Sequence, residues 1–562
     1  MLIKKFKTKW HRYIFQFDYA PFIVATVKEI QTNLPEQWKD LSFNKDEEGV
    51  NTGWVFSSYH VFKLLCEEFD PMVDDKVNEE MEAVRTQTEE QDVRDEAIAS
   101  IKKQKLNDKL EVETLLPLFP FQNEAVDFVD KVGGRALIAD PCGVGKTIEA
   151  LGYAVFKEYK RVLIICPASV KQNWYNEIKK FAGIEANNIT ETENRGGWEI
   201  IGYPNLTKYW DYIRKEEYDL VISDESHFLK SKTAIRTKKT FKILKNAKNV
   251  IFLTGTPILN KPFDIYNIFN FISPMPFWGN GGFAERYCGL TRNPFGRWDY
   301  TGATNLGELK EKMSFMLRRE KKEVLPQLPD KTINVIETEM KSWKDYREIL
   351  ADFKEWLKTN KLSDAALYAE ALTKINYLKK VVVENKDLEG QIDNFLETGR
   401  KLVVFSQYRG VLENLYEKVS YKKNDKLKKN PIYKYRDMSV VFTGSTPTKE
   451  RQLIIDKFQK DDNCKIFFST IQAGGVGITL TSADIVIFTD LSWSVVDHQQ
   501  AEDRCHRITQ KNNVNVYYLI TPKTIEEKIW LLLKRKEVLI NKILSGSEKA
   551  RKVHIKTLIK NL

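Results

Sequence analysis

Short apolar runs rich in valine and isoleucine recur along the chain in two series, and each run ends at polar, glycine or proline residues. The first series occupies 135–140, 161–167, 218–225 and 249–257, and the second occupies 401–407, 464–470, 483–490 and 515–521. Continuous apolar strands that alternate with helix-length segments predict a parallel sheet covered on both faces. The two series therefore predict two doubly wound α/β lobes, with ligand sites at the carboxyl ends of their strands.

Four other segments have different patterns. Residues 67–96 are markedly acidic and predict a solvated helix or linker. Residues 341–398 carry many helix formers and predict a helical connector, and 523–545 predict an amphipathic helix that packs back on the body. Residues 418–436 form a basic loop, which either contacts a phosphate backbone or is simply solvated.

Length and charge narrow the class of protein. At 562 residues the chain is too long for one core, and its net charge of +10 gives modest support to a polyanionic partner. The six cysteines form no CxxC pair, which argues against a zinc site or a disulfide framework. The chain lacks a signal-peptide pattern and a membrane-length apolar run, so we expect a soluble intracellular protein, cytoplasmic or nucleoid-associated if it is bacterial or from a phage.

The first strand of the first series leads into a glycine-rich turn that precedes a predicted helix. Backbone N–H groups in such a turn, together with the positive end of the helix, bind phosphate. Lys146 is expected to reach the β- and γ-phosphates, and the Thr147 hydroxyl is expected to hold Mg²⁺. Asp140 stands where the strict phosphate-loop pattern has its first glycine. The residues predicted to bind ATP here are Gly143, Val144, Gly145, Lys146, Thr147 and Ile148.

Two acidic residues end the strand 218–225. Asp224 is expected to bind Mg²⁺, and Glu225 to orient and deprotonate the attacking water. His227 is interpreted as a coupling residue, because no other histidine or cysteine nearby completes a metal set. Upstream, Gln122 lies roughly a turn before a predicted helix, and its carboxamide can pair with the adenine edge.

A composite ATPase site also needs positive charge from a second lobe. Arg504 and Arg507 are three residues apart, which predicts that they share one face of a helix. An arginine that reaches the transferred phosphate is typically worth about 10³–10⁵ in rate. Both residues are therefore predicted to be catalytic, together with Lys146, Asp224 and Glu225.

The whole set of motifs resembles the superfamily-two helicases, and specifically the Swi/Snf-type DNA translocases. The resemblance covers about 115–545 and rests on ADPCGVGKTIEA, CPASVKQNWYNEIKKF, DESH, LTGTPILN, FSQYRG, FTGSTPTKERQLIIDKF, STIQAGGVGITLTSAD and DLSWSVVDHQQAEDRCHRITQ. Asp140 is usual in the phosphate loop of this family. Residues 285–331 and 17–65 are similar to the HepA-related, annealing-helicase branch. The resemblance implies two tandem RecA-like lobes.

The resemblance also implies roles for residues outside the nucleotide loop. Gly477 and Gln500 fall in motifs that close the cleft between the lobes and are assigned to nucleotide binding. Thr254, Gly255 and Thr256 would couple the nucleotide state to lobe movement. Contacts to one DNA strand would come from Pro167, Ser169, Ser406, Gln407, Gly444, Ser445 and Thr470. Such contacts go mainly to phosphates, as sequence-independent tracking requires.

The expected domains follow from these patterns and from the resemblance. They are a small N-terminal α+β domain for DNA recognition (1–85), an acidic linker (86–114), the ATP-binding lobe (115–320), a helical connector (321–398), the second lobe (399–522) and a C-terminal helical brace (523–562). In the first domain Trp10, Tyr13, Phe15 and Trp54 either stack on exposed bases or form a small core.

The predicted function is an ATP-dependent motor on duplex or branched DNA that remodels or reanneals forks, with ATP and Mg²⁺ as cofactors. DNA is the expected partner, membranes are not, and the protein is expected to be a monomer. The alternatives are a strand-separating DNA or RNA helicase, a remodeller of protein–DNA complexes, and a catalytically inactive scaffold.

Overall fold

The structure is a computed structural model. It describes residues 2–5, 13–16, 21–33, 41–44, 53–56, 59–79, 81, 106–193, 195–278, 282–292, 298–359, 365–417, 419–421, 431–475 and 477–545. Trp10, most of the predicted acidic linker, the middle of the basic loop and the residues after Ser545 lie outside these ranges.

The N-terminal part is a small α+β unit with a five-stranded sheet in the order β3-β4-β2-β1-β5. Tyr13, Phe15 and Trp54 are all buried in its core. Of the two interpretations of these aromatic residues, the structure therefore supports a small core rather than base stacking. The elements are β1 (Leu2–Lys5), β2 (Tyr13–Gln16), α1 (Pro21–Asn33), β3 (Ser42–Asn44), β4 (Gly53–Phe56), α2 (Tyr59–Phe69) and β5 (Met72–Val73).

The first lobe is built on an all-parallel sheet of seven strands in the order β14-β6-β11-β10-β7-β9-β8. Alternate strand residues enter two different apolar clusters, so both faces of the sheet are covered, as the apolar runs predicted. The strands are β6 (Arg135–Ile138), β7 (Val162–Cys166), β8 (Asn187–Asn188), β9 (Trp198–Gly202), β10 (Leu220–Ser223), β11 (Asn249–Leu253) and β14 (Met316–Leu317). A separate hairpin pairs β12 (Thr291–Arg292) with β13 (Trp298–Asp299).

Strand β9 is absent from the predicted series because a carboxylate interrupts its apolar run. Glu199 is fully buried and accepts hydrogen bonds from the hydroxyls of Tyr212 (2.6 Å) and Tyr218 (2.9 Å). The helices of this lobe are α3 (Pro120–Lys131), α4 (Lys146–Phe156), α5 (Lys171–Ala182), α6 (Trp210–Ile213), α7 (Ile235–Lys245), α8 (Tyr266–Ile272), α9 (Phe283–Tyr287), α10 (Leu306–Lys312) and α11 (Lys321–Val324).

The second lobe has an all-parallel sheet of six strands in the order β15-β22-β21-β16-β20-β19. The four predicted runs correspond to β16 (Leu402–Ser406), β20 (Ile466–Thr470), β21 (Ile485–Phe488) and β22 (Val514–Ile520). The two edge strands, β15 (Lys331–Glu337) and β19 (Ser439–Phe442), were not predicted. A hairpin of β17 (Val419–Tyr421) and β18 (Pro431–Tyr433) bounds the basic loop.

The predicted helical connector over 321–398 is therefore only partly helical. It begins with the short α11 and then contributes β15 to the second sheet. The helices α12 (Lys344–Thr359), α13 (Ala365–Asn385) and α14 (Leu388–Leu396) follow. The sequence of β15, KTINVIE, is rich in β-branched residues and pairs along its whole length with β22. The remaining helices are α15 (Arg409–Tyr416), α16 (Thr448–Lys460), α17 (Ile471–Gly474), α18 (Val495–Glu502) and α19 (Ile525–Ser545).

Helix α19 connects the two lobes. Its first turns bury Ile525 and Ile529 in the core of the second lobe, whereas Ile543 near its end is buried in the core of the first lobe. The predicted amphipathic helix over 523–545 is thus present and packs on both lobes. Within the described residues, no helix is long and apolar enough to cross a membrane.

Candidate active site between the two lobes

The glycine-rich turn after β6 adopts a conformation that its sequence dictates. Gly143 and Gly145 have φ angles of 85° and 101°, a region that residues with a side chain rarely adopt. Helix α4 begins directly after them at Lys146. The Lys146 ammonium donates to the carbonyl oxygens of Asp140 (2.9 Å) and Pro141 (3.1 Å), so it lies folded over the turn.

Asp140, which replaces the first glycine of the phosphate-loop pattern, is fully buried and held by Arg319. The Arg319 backbone N–H donates to Asp140 Oδ1 (2.7 Å) and its Nε donates to Oδ2 (2.9 Å). The same guanidinium donates to Glu149 Oε1 (3.0 Å) and the Phe121 carbonyl (2.6 Å). Arg319 thus ties the turn to helices α3 and α4, and the sequence motifs gave no sign of this role.

The predicted acidic pair lies at the end of β10. Asp224 Oδ2 accepts a hydrogen bond from Trp174 Nε1 at 2.8 Å, and its Oδ1 accepts from the Glu225 backbone at 2.9 Å. Burial, with the neighbouring charge of Glu225, raises the pKa of Asp224 to about 6. Burial opposes ionisation of Glu225 too, but His227 and Lys146 outweigh it and lower the pKa of that carboxyl. Glu225 also has a positive φ of 47°, a strained conformation for this residue type.

His227 lies between the acidic pair and the segment after β11. Its Nδ1 is 3.1 Å from Glu225 Oε2 and 3.2 Å from Thr254 Oγ1. A Cβ on Gly255, the next residue, would lie 2.5 Å from Cys142 Sγ and 3.4 Å from Lys146 Nζ. The predicted coupling residues therefore form a continuous line of contacts from Glu225 to the glycine-rich turn.

Gln122 lies at the same turn, although its local structure differs from the prediction. It is inside the first turn of α3, because Pro120 starts that helix earlier than expected. Its Oε1 accepts a hydrogen bond from the Phe119 backbone at 3.0 Å. Its Nε2 is 2.7 Å from the position that a Cβ on Gly145 would occupy.

Arg504 and Arg507 belong to the second lobe and lie close to the first lobe, but they are not part of a helix. Helix α18 ends at Glu502, and both arginines lie in the turns that follow, so the predicted shared helical face is wrong. Arg507 Cβ lies 2.8 Å from the position that a Cβ on Gly143 would occupy, and the Ile508 N–H donates to the Gly143 carbonyl at 3.4 Å.

Arg504 is buried and Arg507 is half-buried, and both guanidinium groups are bonded within their own lobe. Arg504 donates to the carbonyls of Gln500 (3.1 Å) and Gly475 (2.7 Å), and Arg507 donates to Thr479 Oγ1 (2.8 Å). Burial, with the like charge of Arg504, lowers the pKa of Arg507 to about 10. A partly desolvated guanidinium in this position would be stabilised by an incoming anion.

Other predicted residues also line the boundary between the lobes. Val144 is buried in an apolar cluster with residues of α11 and Ile508. Gly477 has a φ of 71°, and a Cβ there would lie 2.3 Å from Val170 Cγ1 of the first lobe. Gln500 is buried and its Nε2 has no hydrogen-bond partner among the described residues. Ile148 is buried, whereas Thr147 is half-buried at the start of α4.

A further link between the lobes was missed by sequence reasoning. Lys321 Nζ donates to Asp503 Oδ1 (2.9 Å) and to the His506 carbonyl (2.8 Å), and His506 Nε2 lies 2.8 Å from the Pro329 carbonyl. Lys331 pairs with Glu502 at 2.7 Å. The segment 318–331 therefore joins the glycine-rich turn, through Arg319, to the turns that carry the two arginines. A run of basic residues in a linker gives no hint of such partners.

A cavity of about 610 Å³ lies between the lobes. It is lined by four of the residues predicted to contact DNA: Ser169 of the first lobe and Gln407, Gly444 and Thr470 of the second. The exposed Ser445 adjoins Gly444, but Pro167 is buried. The Ser406 hydroxyl is fully buried and donates to Asp490 Oδ2 at 2.5 Å, so this side chain supports the loop and does not face the cavity.

The donor set fits one Mg²⁺ held by few protein ligands. Thr147 supplies a hydroxyl and Asp224 a carboxylate, the hard oxygen donors that Mg²⁺ prefers alongside water and phosphate oxygens. Within the described residues, no group of three or more histidine, cysteine or acidic side chains could hold a metal ion.

Comparison with known families agrees with this two-lobed arrangement. Residues 121–388 match the SNF2-related domain, and residues 380–509 match the helicase conserved C-terminal domain. The two matches meet in α13, within the region that joins the lobes.

Curated relatives cover most of this chain. The DNA annealing helicase and endonuclease ZRANB3 of Bos taurus is 32% identical over 78% of this chain and 41% of its own length. The Caenorhabditis elegans homolog of SWI/SNF-related matrix-associated actin-dependent regulator of chromatin subfamily A-like protein 1 is 31% identical over 80% of this chain and 66% of its own length. The Xenopus laevis protein of that name is 34% identical over 75% of this chain and 43% of its own length. The chain thus spans about two fifths of ZRANB3.

Proposed function

Because the chain belongs to the SNF2-related family, we propose that it is an ATP-hydrolysing motor that translocates along double-stranded DNA and remodels or reanneals DNA forks. One observation supports the motor above all others: Arg507 of the second lobe lies against Gly143 in the glycine-rich turn of the first. A nucleotide in that turn would be enclosed by both lobes, so its hydrolysis would change how the lobes are held together.

In the proposed reaction, the glycine-rich turn binds the phosphates of ATP and Lys146 leaves its two carbonyl partners for the phosphate oxygens. Thr147 and Asp224 would hold Mg²⁺, which neutralises charge on the phosphates when it is bound. Glu225 orients the attacking water and accepts its proton, because His227 and Lys146 keep this carboxyl ionised. Arg504 and Arg507 stabilise the charge of the transition state.

The roles of Gln122, Gly477 and Gln500 follow from their positions. Gln122 faces Gly145 and is proposed to pair with the adenine edge. Because Gly477 has no side chain, the second lobe can approach Val170 of the first lobe closely. The buried amide of Gln500 is proposed to bind the nucleotide. Thr254, Gly255 and Thr256 are proposed to transmit the change at Glu225 through His227 to the rest of the lobe.

The cavity between the lobes is the proposed path of one DNA strand. Its lining includes hydroxyl, amide and backbone groups from both lobes, and Arg451. Such groups bind phosphates without reading sequence. Because each lobe contributes to the lining, alternate closing and opening would move the lobes past one another along the same strand. Ser169, Gln407, Gly444, Ser445 and Thr470 are proposed to contact the strand directly. The buried Pro167 and Ser406 are proposed to support the loops that carry these contacts.

Action on forks is the finer part of the proposal. It is supported by the similarity to ZRANB3, a DNA annealing helicase and endonuclease, and by the small α+β unit that precedes the lobes. Since this chain spans less than half of that relative, the proposal concerns the motor and the N-terminal unit alone. The protein would act wherever the cell holds its DNA, as a monomer.

Steady-state ATPase assays with different nucleic acids test this function. We expect stimulation by forked and duplex DNA to exceed that by single-stranded DNA, and RNA to have little effect. Strongest activation by RNA would favour an RNA helicase instead. The Lys146→Ala variant should lose ATPase and fork-remodelling activity together, whereas Lys160→Ala, at an exposed side chain outside the site, should keep both. Full remodelling by Lys146→Ala would favour a scaffold.

A further inference from the structure

The first lobe carries an exposed group of aromatic and basic side chains that the proposed ATP and DNA sites do not use. Trp278 and Trp298 are 43% and 42% exposed, and they are the only tryptophans among the strongly exposed large apolar residues that the structure describes. Tyr300 is half-buried beside Trp278, with ring centroids 5.8 Å apart. A single exposed apolar side chain is ordinary, whereas exposed rings grouped with other aromatic side chains are typical of a binding surface.

Half-buried rings hold Trp278 and Tyr300 in place. Phe277 contacts Trp278 (4.7 Å between centroids) and Tyr300 (5.5 Å), and Phe263 contacts Phe277 (5.2 Å) and Tyr300 (5.1 Å). Behind them lies the fully buried Phe283 in the core of the first lobe. Rings fixed in this way lose little conformational entropy when a flat ligand stacks on them.

Cations lie beside the same rings. The Arg292 guanidinium is 4.7 Å from the centre of the Trp298 ring, and Lys261 Nζ is 5.2 Å from the centre of Tyr300. The nearby carboxylates are engaged: Asp264 accepts from the backbone of Asn260 (2.7 Å), and Glu308 pairs with Arg286 (2.7 Å). Among the described residues, no carboxylate forms an ion pair with Lys261 or Arg292.

We infer that Trp278, Trp298, Tyr300, Lys261 and Arg292 form a binding site for single-stranded DNA, which we call the aromatic surface. Unpaired bases expose the flat faces that stack on tryptophan, whereas a duplex hides them, and the cations match the phosphate backbone. Stacking of Arg292 on Trp298 also stabilises the short hairpin of β12 and β13, but that function would not require both tryptophans to remain exposed.

The position of this surface gives it a use that rests on the proposed function. Lys261 directly follows the segment 253–260, which contacts His227 and the glycine-rich turn. A strand held there would lie on the motor lobe itself, next to the residues proposed to respond to ATP. The surface would therefore hold the unpaired strand that a fork presents while the cavity between the lobes follows the duplex.

Photocrosslinking of the unaltered protein to an oligo(dT) 20-mer that carries 5-iododeoxyuridine provides the first test. We expect crosslinks at Trp278 or Trp298, and their absence from both would overturn the inference. In fluorescence anisotropy the Trp278→Ala/Trp298→Ala variant should bind oligo(dT) at least about 10-fold more weakly, whereas tyrosine at both positions should restore most of the affinity. Ile235→Ala, at an exposed apolar residue of the same lobe, is the matched control and should bind normally.

The ATPase assay separates this inference from the proposed function. The double alanine variant should keep ATPase stimulation by blunt duplex DNA within about twofold, with an unchanged thermal midpoint. Equal losses with duplex and with oligo(dT) would show that these residues serve the duplex path and overturn the inference. Unchanged oligo(dT) affinity, or tighter binding of oligo(U), would overturn it as well. Absence of any duplex stimulation in the unaltered protein would refute the motor and leave the crosslinking result standing.

Discussion

Arg319 and Asp140 form an ion pair inside the first lobe. Asp140 occupies the position at which the strict phosphate-loop pattern has a glycine. The guanidinium contacts Asp140, Glu149 and Glu124, so one cation compensates three carboxylates, of which Asp140 and Glu149 are fully buried. Burial, with the charge of Asp140, raises the pKa of Glu149 to about 8 despite this contact. The conformation of the turn therefore depends on a residue almost 180 positions away in the sequence.

Replacing Arg319 with methionine should destabilise the first lobe. Two buried carboxylates would lose their partner, and removing one member of a buried pair typically costs about 3–5 kcal/mol of unfolding free energy. Chemical denaturation measures this loss. Arg214→Met is the control, because Arg214 pairs with Asp211 on the surface and should cost less than about 1 kcal/mol. Similar losses for the two variants would contradict the assigned role of Arg319.

Replacing Arg507 with alanine should slow ATP hydrolysis by about 10³–10⁵-fold while nucleotide binding persists. The reason is that this guanidinium would act on charge that develops during the reaction. Single-turnover hydrolysis measures the rate, and a fluorescent nucleotide measures binding. Arg535→Ala, at an exposed position on α19, should have no effect on either. A purely weakened affinity with an unchanged rate would place Arg507 in nucleotide binding alone.

Lys321 and Lys322 are neighbours with different environments, which makes them a matched pair. The Lys321 side chain is 13% exposed and contacts Asp503 and the His506 carbonyl, whereas Lys322 is 85% exposed and pairs with the exposed Asp330. Lys321→Met should shift the arginine-bearing turns, and a displacement of about 1 Å can lower kcat on the order of 100-fold. Lys322→Met should leave kcat unchanged. Equal kcat values in the two variants would refute the link between segment 318–331 and catalysis.

His498 should make the second lobe sensitive to acid. Its Nε2 accepts a hydrogen bond from the Ser492 backbone at 3.0 Å, and burial, with the nearby Lys379 and Lys534, lowers its pKa to about 3. The unfolded chain, with an ordinary histidine pKa near 6.5, therefore binds a proton that the folded chain does not. The contribution of His498 to stability is complete above pH 6.5 and is lost as the pH falls toward 3.

Denaturation at pH 7.5 and pH 5 provides the measurement. The free energy of unfolding should decrease more between these values in the unaltered protein than in His498→Gln, which cannot take up the proton. If the two proteins have parallel pH profiles, acid sensitivity arises elsewhere.

Ile543 should determine whether α19 stays on the first lobe. It is fully buried in the core of that lobe, and Ile543→Asp would place an unpaired charge there. We expect a loss of about 3 kcal/mol or more in unfolding free energy and a larger radius of gyration in X-ray scattering. Leu531→Asp, at a 52% exposed position of the same helix, should alter neither. An unchanged radius in Ile543→Asp would mean that other contacts hold the lobes together.

The sequence predicted the central strands and the clustered motifs because both are local patterns. Runs such as RALIAD and KLVVFSQ are apolar and β-branched, and they end at polar residues where parallel strands meet. It does not predict β9, where Glu199 accepts hydrogen bonds from two tyrosines, or β15, which lies within the predicted helical connector. The spacing of Arg504 and Arg507 predicts a shared helical face, but spacing alone cannot show that α18 ends at Glu502.

Distant pairings were beyond the reach of sequence reasoning for a related reason. Arg319 with Asp140 and Lys321 with Asp503 join residues about 180 positions apart, and nothing in either local sequence specifies the partner. Ser406 illustrates a different limit: a motif implies that this residue contacts DNA, but it does not show that the Ser406 hydroxyl donates to Asp490 inside the lobe.

The attachment of α19 to both lobes restricts the kind of motion that is available. A helix of 21 residues is about 30 Å long and does not stretch. The second lobe packs along the helix from Ile525 to Ile540, so the two lobes cannot be pulled straight apart without extracting Ile543 from the core of the first lobe. The lobes can still rotate relative to one another about the end of the helix. The power stroke of such a motor would be a rotation of one lobe relative to the other rather than a separation of the lobes. The displacement along DNA would then increase with the distance between the DNA-contacting residues and the axis of rotation.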